Sequence, residues 1–331
     1  SAYSAARGYT ALGSTQTVSG LSMSPDLVWL KSRTAADNHS LFDSVRGAPK
    51  GMHPNLNNAE FNDSSTLTAF TSDGWTMAGH AVTNANNQNY IGWAWDAGSS
   101  TASNTDGSVT SQVRVNQSAG FSIVSYTATG SNLTVGHGLN ATPALIIHKT
   151  RSVARDWVIY HESLGLDYIL KLNLTDAKLG PFTDIFTSVS SSTFGIGTNG
   201  GINTNNETKI NYCFAPVAGY SAFSSFEANG AVDGPFVHTG FRPALIIFKN
   251  IDDSENWLMI DSTRNSANPV SSHIHPNLSN AEAEGSPPWA DFLSNGFKLR
   301  NLYNETNGSG DTIVFMAWAE NPFQANGGLA R

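Results

Sequence analysis

Apolar and alternating runs of strand length, broken by Gly, Asn, Asp and Pro, recur along the whole chain. Helix signals are weak throughout. Phe121-Ser-Ile-Val-Ser-Tyr126 alternates, as does Tyr220-Ser-Ala-Phe-Ser-Ser-Phe226, where the phase slips between Phe223 and Phe226 and predicts a bulge or twist. Leu145-Ile-Ile and Leu245-Ile-Ile-Phe are continuously apolar, the pattern of a central strand covered on both faces. Many short strands separated by turn residues predict an all-β sandwich or barrel.

The pattern repeats. His53-Pro-Asn-Leu-Asn-Asn-Ala-Glu60 returns as His275-Pro-Asn-Leu-Ser-Asn-Ala-Glu282. Pro25-Asp-Leu-Val-Trp-Leu-Lys31 corresponds to Pro143-Ala-Leu-Ile-Ile-His-Lys149 and Pro243-Ala-Leu-Ile-Ile-Phe-Lys249. Leu41-Phe-Asp-Ser-Val-Arg46 corresponds to Met259-Ile-Asp-Ser-Thr-Arg264, and each copy closes on an aromatic-rich strand, Tyr90–Trp95, Ile210–Phe214 or Ile313–Trp318. A spacing of roughly 100 residues is too long for a solenoid unit and suits a small domain. The expectation is three tandem β-sandwich modules of jelly-roll or lectin-like type, over residues 1–98, 120–219 and 220–331. Residues 99–119, rich in Ser, Thr, Asn and Gly, read as a linker with one strand near Val109–Val115. Pro216-Val-Ala-Gly219 leaves almost no linker, so the second and third modules should pack rigidly or share a sheet.

Composition narrows the function classes. Charged residues make up 13% of the chain, about half the usual fraction of roughly 25%. The chain is still 40% hydrophobic and 10% aromatic, which is enough to bury cores and argues against disorder. Net charge is −8 and the 18 basic residues are scattered, whereas a phosphate backbone calls for clustered cations, so nucleic acid is disfavoured. No apolar run reaches the roughly 20 residues of a membrane helix, and Ser1–Arg7 carries no signal-peptide pattern. The single cysteine, Cys213, aligns with Ala94 and Ala317 in the other closing strands, which marks a small core position rather than a nucleophile.

Gly120-Phe-Ser-Ile-Val-Ser-Tyr126, Val135-Gly-His-Gly-Leu139, Tyr212-Cys-Phe-Ala-Pro-Val-Ala-Gly-Tyr220, Thr239-Gly-Phe-Arg-Pro-Ala244, Leu293–Arg300 and Ala319-Glu-Asn-Pro-Phe323 are the densest motifs. Together they resemble a repeated β-domain of tailed-bacteriophage virion proteins, common in marine phages and carried by tail or tail-fibre-like components. The resemblance covers most of the chain and is densest from Gly120 onward. It implies a virion location, on the particle surface or tail, with other virion proteins as partners. It brings no catalytic motif.

Candidate site residues come from the repeat. The pairs Asp43/Arg46 and Asp261/Arg264 recur with one spacing, as do His53/Glu60 and His275/Glu282. Carboxylates and amides supply hard oxygen ligands for a cation or a sugar; the preferred reading is structural, since Asp–Arg pairs pin turns and recurrence is what structural equivalents show. Copy two has His161-Glu162-Ser163 instead, which weakens a three-fold site. The nine histidines show no zinc spacing such as His-Glu-x-x-His, and no Gly-x-Ser-x-Gly elbow frames a serine. Trp29, Trp95 and Trp318 lie in apolar strands and read as core. Trp289, in Ser286-Pro-Pro-Trp-Ala-Asp291, sits on an expected loop and reads either as an exposed aromatic able to stack on a sugar or, equally, as a plug for that loop, with Trp75 a second contact candidate and Trp93 left open. The interface or ligand set is therefore Trp289, Trp75, Asp261, Arg264, His275 and Glu282, with no cofactor and no metal. The expected function is a non-enzymatic virion scaffold. The alternatives are a lectin-like module for a host surface glycan and a capsid-decorating protein. A polysaccharide depolymerase would need paired carboxylates in a cleft. Internal triplication could give a pseudo-trimer from one chain, so a homo-oligomer is left open.

Overall fold

The computed structural model describes residues 3–320. Residues 321–331 of the expected 220–331 module, Asn321–Phe323 of the motif set among them, lie outside the described residues. Nearly all regular structure is β, with two four-residue helices, Ala81–Asn84 and Asn304–Asn307. One arrangement occurs in three stretches, here called lobes 1 to 3 in chain order. Each lobe has a large sheet and a three-stranded sheet packed on it.

In lobe 1 the large sheet runs Ser4–Thr10, Asn89–Trp95, Leu27–Ser32, Ser40–Asp43, Lys50–Met52, Phe61–Asn62, all antiparallel. Gln16–Val18, Gly74–Met77 and Leu67–Thr71 form the small sheet. In lobe 3 the equivalent large sheet is Ser221–Glu227, Thr312–Ala319, Pro243–Asn250, Leu258–Asp261. Its small sheet is Phe236–His238, Gly296–Leu299, Ala290–Leu293. Lobe 2 carries the same core of strands, Phe121–Thr127, Thr208–Phe214, Leu145–Thr150 and Val158–His161, with Leu133–Gly136, Thr193–Ile196 and Phe186–Val189 as the small sheet.

Residues 99–119, expected to link, belong to the lobe 2 sheet. Thr101–Asn104 pairs with Ser111–Asn116, which pairs with Phe121–Thr127. Thr101–Asn104 is the edge strand and no residue of it is buried, while the next strand has one covered face, with Ser111 and Val113 buried and Gln112 exposed. Lobes 2 and 3 do not share a sheet; an isolated bridge, Val217 with Ser221, joins their ends.

The large sheets are covered on both faces, which explains the continuous apolar runs. All six residues of Leu27–Ser32 and of Leu145–Thr150 are buried. Alternate side chains take opposite directions. Val28, Leu30, Phe42 and Ala94 face the small sheet of lobe 1, where Trp75, Met77 and Leu67 meet them. Leu27, Trp29, Leu41, Ile91, Trp93 and Trp95 face the other way, into a core shared with lobes 2 and 3. Gly92 makes room for Trp75: a Cβ there would lie 2.6 Å from the indole. Where the lobes meet, one aromatic from each closing strand forms a triangle. Trp95 and Trp318 centroids are 5.4 Å apart, Phe214 and Trp318 5.4 Å, and Trp95 and Phe214 6.4 Å. Such edge-on pairs add about 0.5–1.5 kcal/mol each beyond the area they bury.

Candidate functional site

The recurring polar residues converge on the seams between lobes. Asp43 ends its strand and Arg46 lies in the turn after it, so the side chain can fold back. The Arg46 amide donates to Asp43 Oδ1 at 2.8 Å, its Nε donates to Asp43 Oδ2, and Nη2 donates to the Leu41 carbonyl at 3.0 Å. Lobe 3 repeats this: the Arg264 amide to Asp261 Oδ1 at 2.8 Å, Nε to Asp261 Oδ2 at 2.5 Å, and Nη2 to the Met259 carbonyl at 3.0 Å. Asp261 is 0% exposed and Arg264 9%. A buried charge is tolerable only when paired and fully hydrogen-bonded.

Each aspartate then receives a donor from a neighbouring lobe. Tyr212 of lobe 2 donates its hydroxyl to Asp43 Oδ2 at 2.7 Å, and Trp93 of lobe 1 donates Nε1 to Asp261 Oδ2 at 3.3 Å. The Arg264 guanidinium also lies 5.6 Å from the Trp93 ring centroid. Burial raises the Tyr212 hydroxyl well above its ordinary pKa, so it stays a donor. In lobe 2 the aspartate position is His161, whose Nε2 meets the Phe315 carbonyl of lobe 3 at 3.3 Å. Burial pushes the His161 pKa down to about 4, which holds the ring neutral.

Glu60 and Glu282 tie the outer part of the seams. Glu60 accepts from Arg151 of lobe 2 at 2.9 and 3.1 Å and lies 3.4 Å from Arg46. Glu282 accepts from Arg33 of lobe 1 at 2.9 and 2.7 Å and lies 3.3 Å from Arg264. Backbone bonds accompany them: Glu60 to Arg151, Glu282 to Arg33, and Lys178 to Ile251 at the third seam. That third seam carries the ion pair Lys178–Asp252 at 2.8 Å in place of the Arg–Glu pair.

Three residues missed by sequence reasoning complete the ring. His39, Trp157 and Trp257 follow Lys31, Lys149 and Lys249 by eight positions. Trp157 Nε1 donates to the His53 and Leu56 carbonyls of lobe 1, at 3.0 and 3.1 Å. Trp257 Nε1 donates to the Lys171 carbonyl of lobe 2 at 2.9 Å. His39 Nε2 meets the His275 carbonyl of lobe 3 at 3.0 Å. Each lobe therefore grips the one before it, and lobe 1 grips lobe 3, so the contacts close. The lysines help: Lys149 Nζ donates to the Asn57 carbonyl and Lys249 Nζ to the Thr175 carbonyl, both across a seam, at 3.1 Å. Burial lowers all three lysines to a pKa of about 8. The common Lys-to-aromatic spacing was the signal available in the sequence.

Of the six residues singled out, Asp261, Arg264 and Glu282 form one cluster. His275 stands beside it in the adjoining turn, with Nδ1 on the Trp257 carbonyl at 2.9 Å. The two tryptophans are elsewhere, and neither is the exposed aromatic expected. Trp289 is 4% exposed, packed on His273 and Tyr303 at 4.8 Å each; Trp75 is fully buried inside lobe 1. Trp289 sits one step before the strand Ala290–Leu293, and its carbonyl accepts from the Arg300 amide and from Asn301 Nδ2. These bonds hold the segment against the body of the lobe rather than as a free loop. His273 and His275 have ring centroids 5.0 Å apart, and among the described residues no group of three His, Cys, Asp or Glu side chains could hold a metal. No helix among them is long and apolar enough to cross a membrane.

No curated protein sequence matches this chain. A family model, Domain of unknown function (DUF7483), matches residues 1–322. The chain whose paired acids and arginines lock its lobes together is thus a member of the DUF7483 family.

Proposed function

We propose that this protein is a non-enzymatic structural component of a tailed-phage virion, in the tail or a surface fibre, where it presents its outer loops to other virion proteins or to the host. The observation that carries this reading is how the repeated chemistry is spent. Asp43, Arg46, Glu60 and their lobe 3 counterparts bind one another and the neighbouring lobe, an arrangement that serves rigidity. A charged fraction of 13% and closure of three lobes on one core suit a particle component that must persist outside a cell. The motif resemblance noted above supplies the virion context. The lectin-like alternative loses both contact aromatics to burial, and a capsid-decorating role differs in position rather than in chemistry.

The test is to purify particles of the phage encoding this chain and label them with antibody raised against it. Gold on the tail or surface, with the chain present by mass spectrometry in fixed ratio to the major virion proteins, is the expected result. A chain found in the infected-cell lysate and absent from washed particles overturns the proposal.

A further inference from the structure

Lobes 1 and 3 share one frame around the turns that carry His53 and His275. Ser40 pairs with Leu30 as Leu258 pairs with Phe248. Gly51 pairs with Phe61 as His273 pairs with Ala283. The Ala78 amide donates to the Thr66 carbonyl as the Arg300 amide donates to that of Trp289. His80 and Tyr303 hold the N-cap positions of the equivalent short helices Ala81–Asn84 and Asn304–Asn307. These matches make Thr66 the counterpart of Trp289 and Ser40 the counterpart of Leu258.

In lobe 3 the space inside this frame is full. The Trp289 ring lies between His273 and Tyr303, and Leu258 is completely buried. In lobe 1 an indole and an isobutyl group are replaced by two small hydroxyl side chains, and a pocket of about 230 Å³ remains. Its walls include Ser40, His53, Phe61 and Thr66, with Asp63 and His80 among its lining. Phe61 stacks on His53 at 4.8 Å and 30°, which gives one flat aromatic wall. Ser40 is 0% exposed, and its hydroxyl has no hydrogen-bond partner. A buried polar group left unpaired is costly. Asp63 and His80 pair at 3.7 Å and are partly exposed, as befits a rim.

We propose that the lobe 1 pocket binds a planar heteroaromatic ring of indole size, seated where lobe 3 seats Trp289, with the Ser40 hydroxyl taking the ring N–H. The lining joins the Phe61 ring, Ala59 and Val82 to polar side chains of Ser40, His53, Asn58 and Thr66, and placed polar groups beside an aromatic wall are what fix a small ligand's orientation. The internal copy supplies the shape of the occupant: the equivalent place in lobe 3 seats an indole, with His273 and Ala283 standing where lobe 1 has Gly51 and Phe61. The proposal does not depend on where the chain sits in a particle.

Isothermal titration of the full chain with indole tests it. Saturable binding at one site per chain is expected. Thr66→Trp should fill the pocket as lobe 3 is filled and abolish the heat, while thermal unfolding stays cooperative. Ser40→Leu fills the opposite wall and should do the same, so misfolding of one variant does not spoil the test. A third arm uses N-acetyltryptophanamide. Affinity within about tenfold of indole assigns the occupant to a tryptophan side chain of a partner, and weaker binding to a free small molecule. Both results support a ring site. No saturable binding of indole up to its solubility limit overturns the proposal, as does wild-type affinity in either filled variant.

Discussion

Replacing Asp43 with alanine tests the seam at its most exposed point of logic. The carboxylate is fully buried and accepts the Arg46 amide, Arg46 Nε and the Tyr212 hydroxyl. Its removal leaves the Arg46 guanidinium with the Leu41 carbonyl and a more distant Glu60 at 3.4 Å. Breaking a buried pair by deleting one partner costs about 3–5 kcal/mol. Tyr212→Phe removes only the bond that crosses between lobes, and a hydrogen bond to a charged group is worth about 1.5–3 kcal/mol. Urea denaturation followed by tryptophan fluorescence measures both variants and the double variant. Because both single changes delete the same contact, the double variant should be less destabilised than their sum by at least about 1 kcal/mol. The urea dependence itself should stay that of the whole chain. If the two changes add within about 0.5 kcal/mol, or Asp43→Ala costs under about 1 kcal/mol, the contact does not join the lobes and the reasoning fails.

Two further outcomes follow from burial. Desolvation lowers His148 to a pKa of about 3 and His161 and His273 to about 4, against roughly 6.5 unfolded. Their contribution to stability is full above pH 6.5 and is lost as pH falls toward 4. Asp26, raised by burial to about 6, acts with the opposite sign in the same range. For these four groups the net is a fall of about 2.5 kcal/mol per pH unit near pH 5, and His39, His53 and His137, also lowered by burial, act with the sign of the other histidines; the urea midpoint at several pH values reads it, and a flat profile between pH 6.5 and 4.5 contradicts it. Gly92→Ala places a Cβ 2.6 Å from Trp75 and 2.8 Å from Leu30. It should cost about 1–3 kcal/mol through overpacking, and a thermal midpoint equal to wild type contradicts that.

The strands that were easiest to read in the sequence are those covered on both sides. Leu145-Ile-Ile and Leu245-Ile-Ile-Phe are apolar at every position because each sits between a lobe core and the shared core. The same property hid the arrangement of the lobes: when both faces are apolar, period two does not say which face turns outward. The recurrence of Asp43/Arg46 and His53/Glu60 marked the right residues but not their task, because their partners, Tyr212 and Arg151, lie far along the chain. Trp289 misled for a local reason. Two prolines and a polar neighbourhood look like an exposed loop, yet the lobe 3 frame has a space that the indole fills. Residues 99–119 looked like a linker because a hairpin at a sheet edge buries little, and its composition stays polar.

Differential scanning calorimetry of the whole chain tests whether the three lobes are one closed body. A single endotherm with a calorimetric to van't Hoff enthalpy ratio near one is expected, since the seams and the shared aromatic core must break together. Three resolved transitions, or a ratio near three, would mean that the lobes unfold independently and that the seam contacts do not couple them.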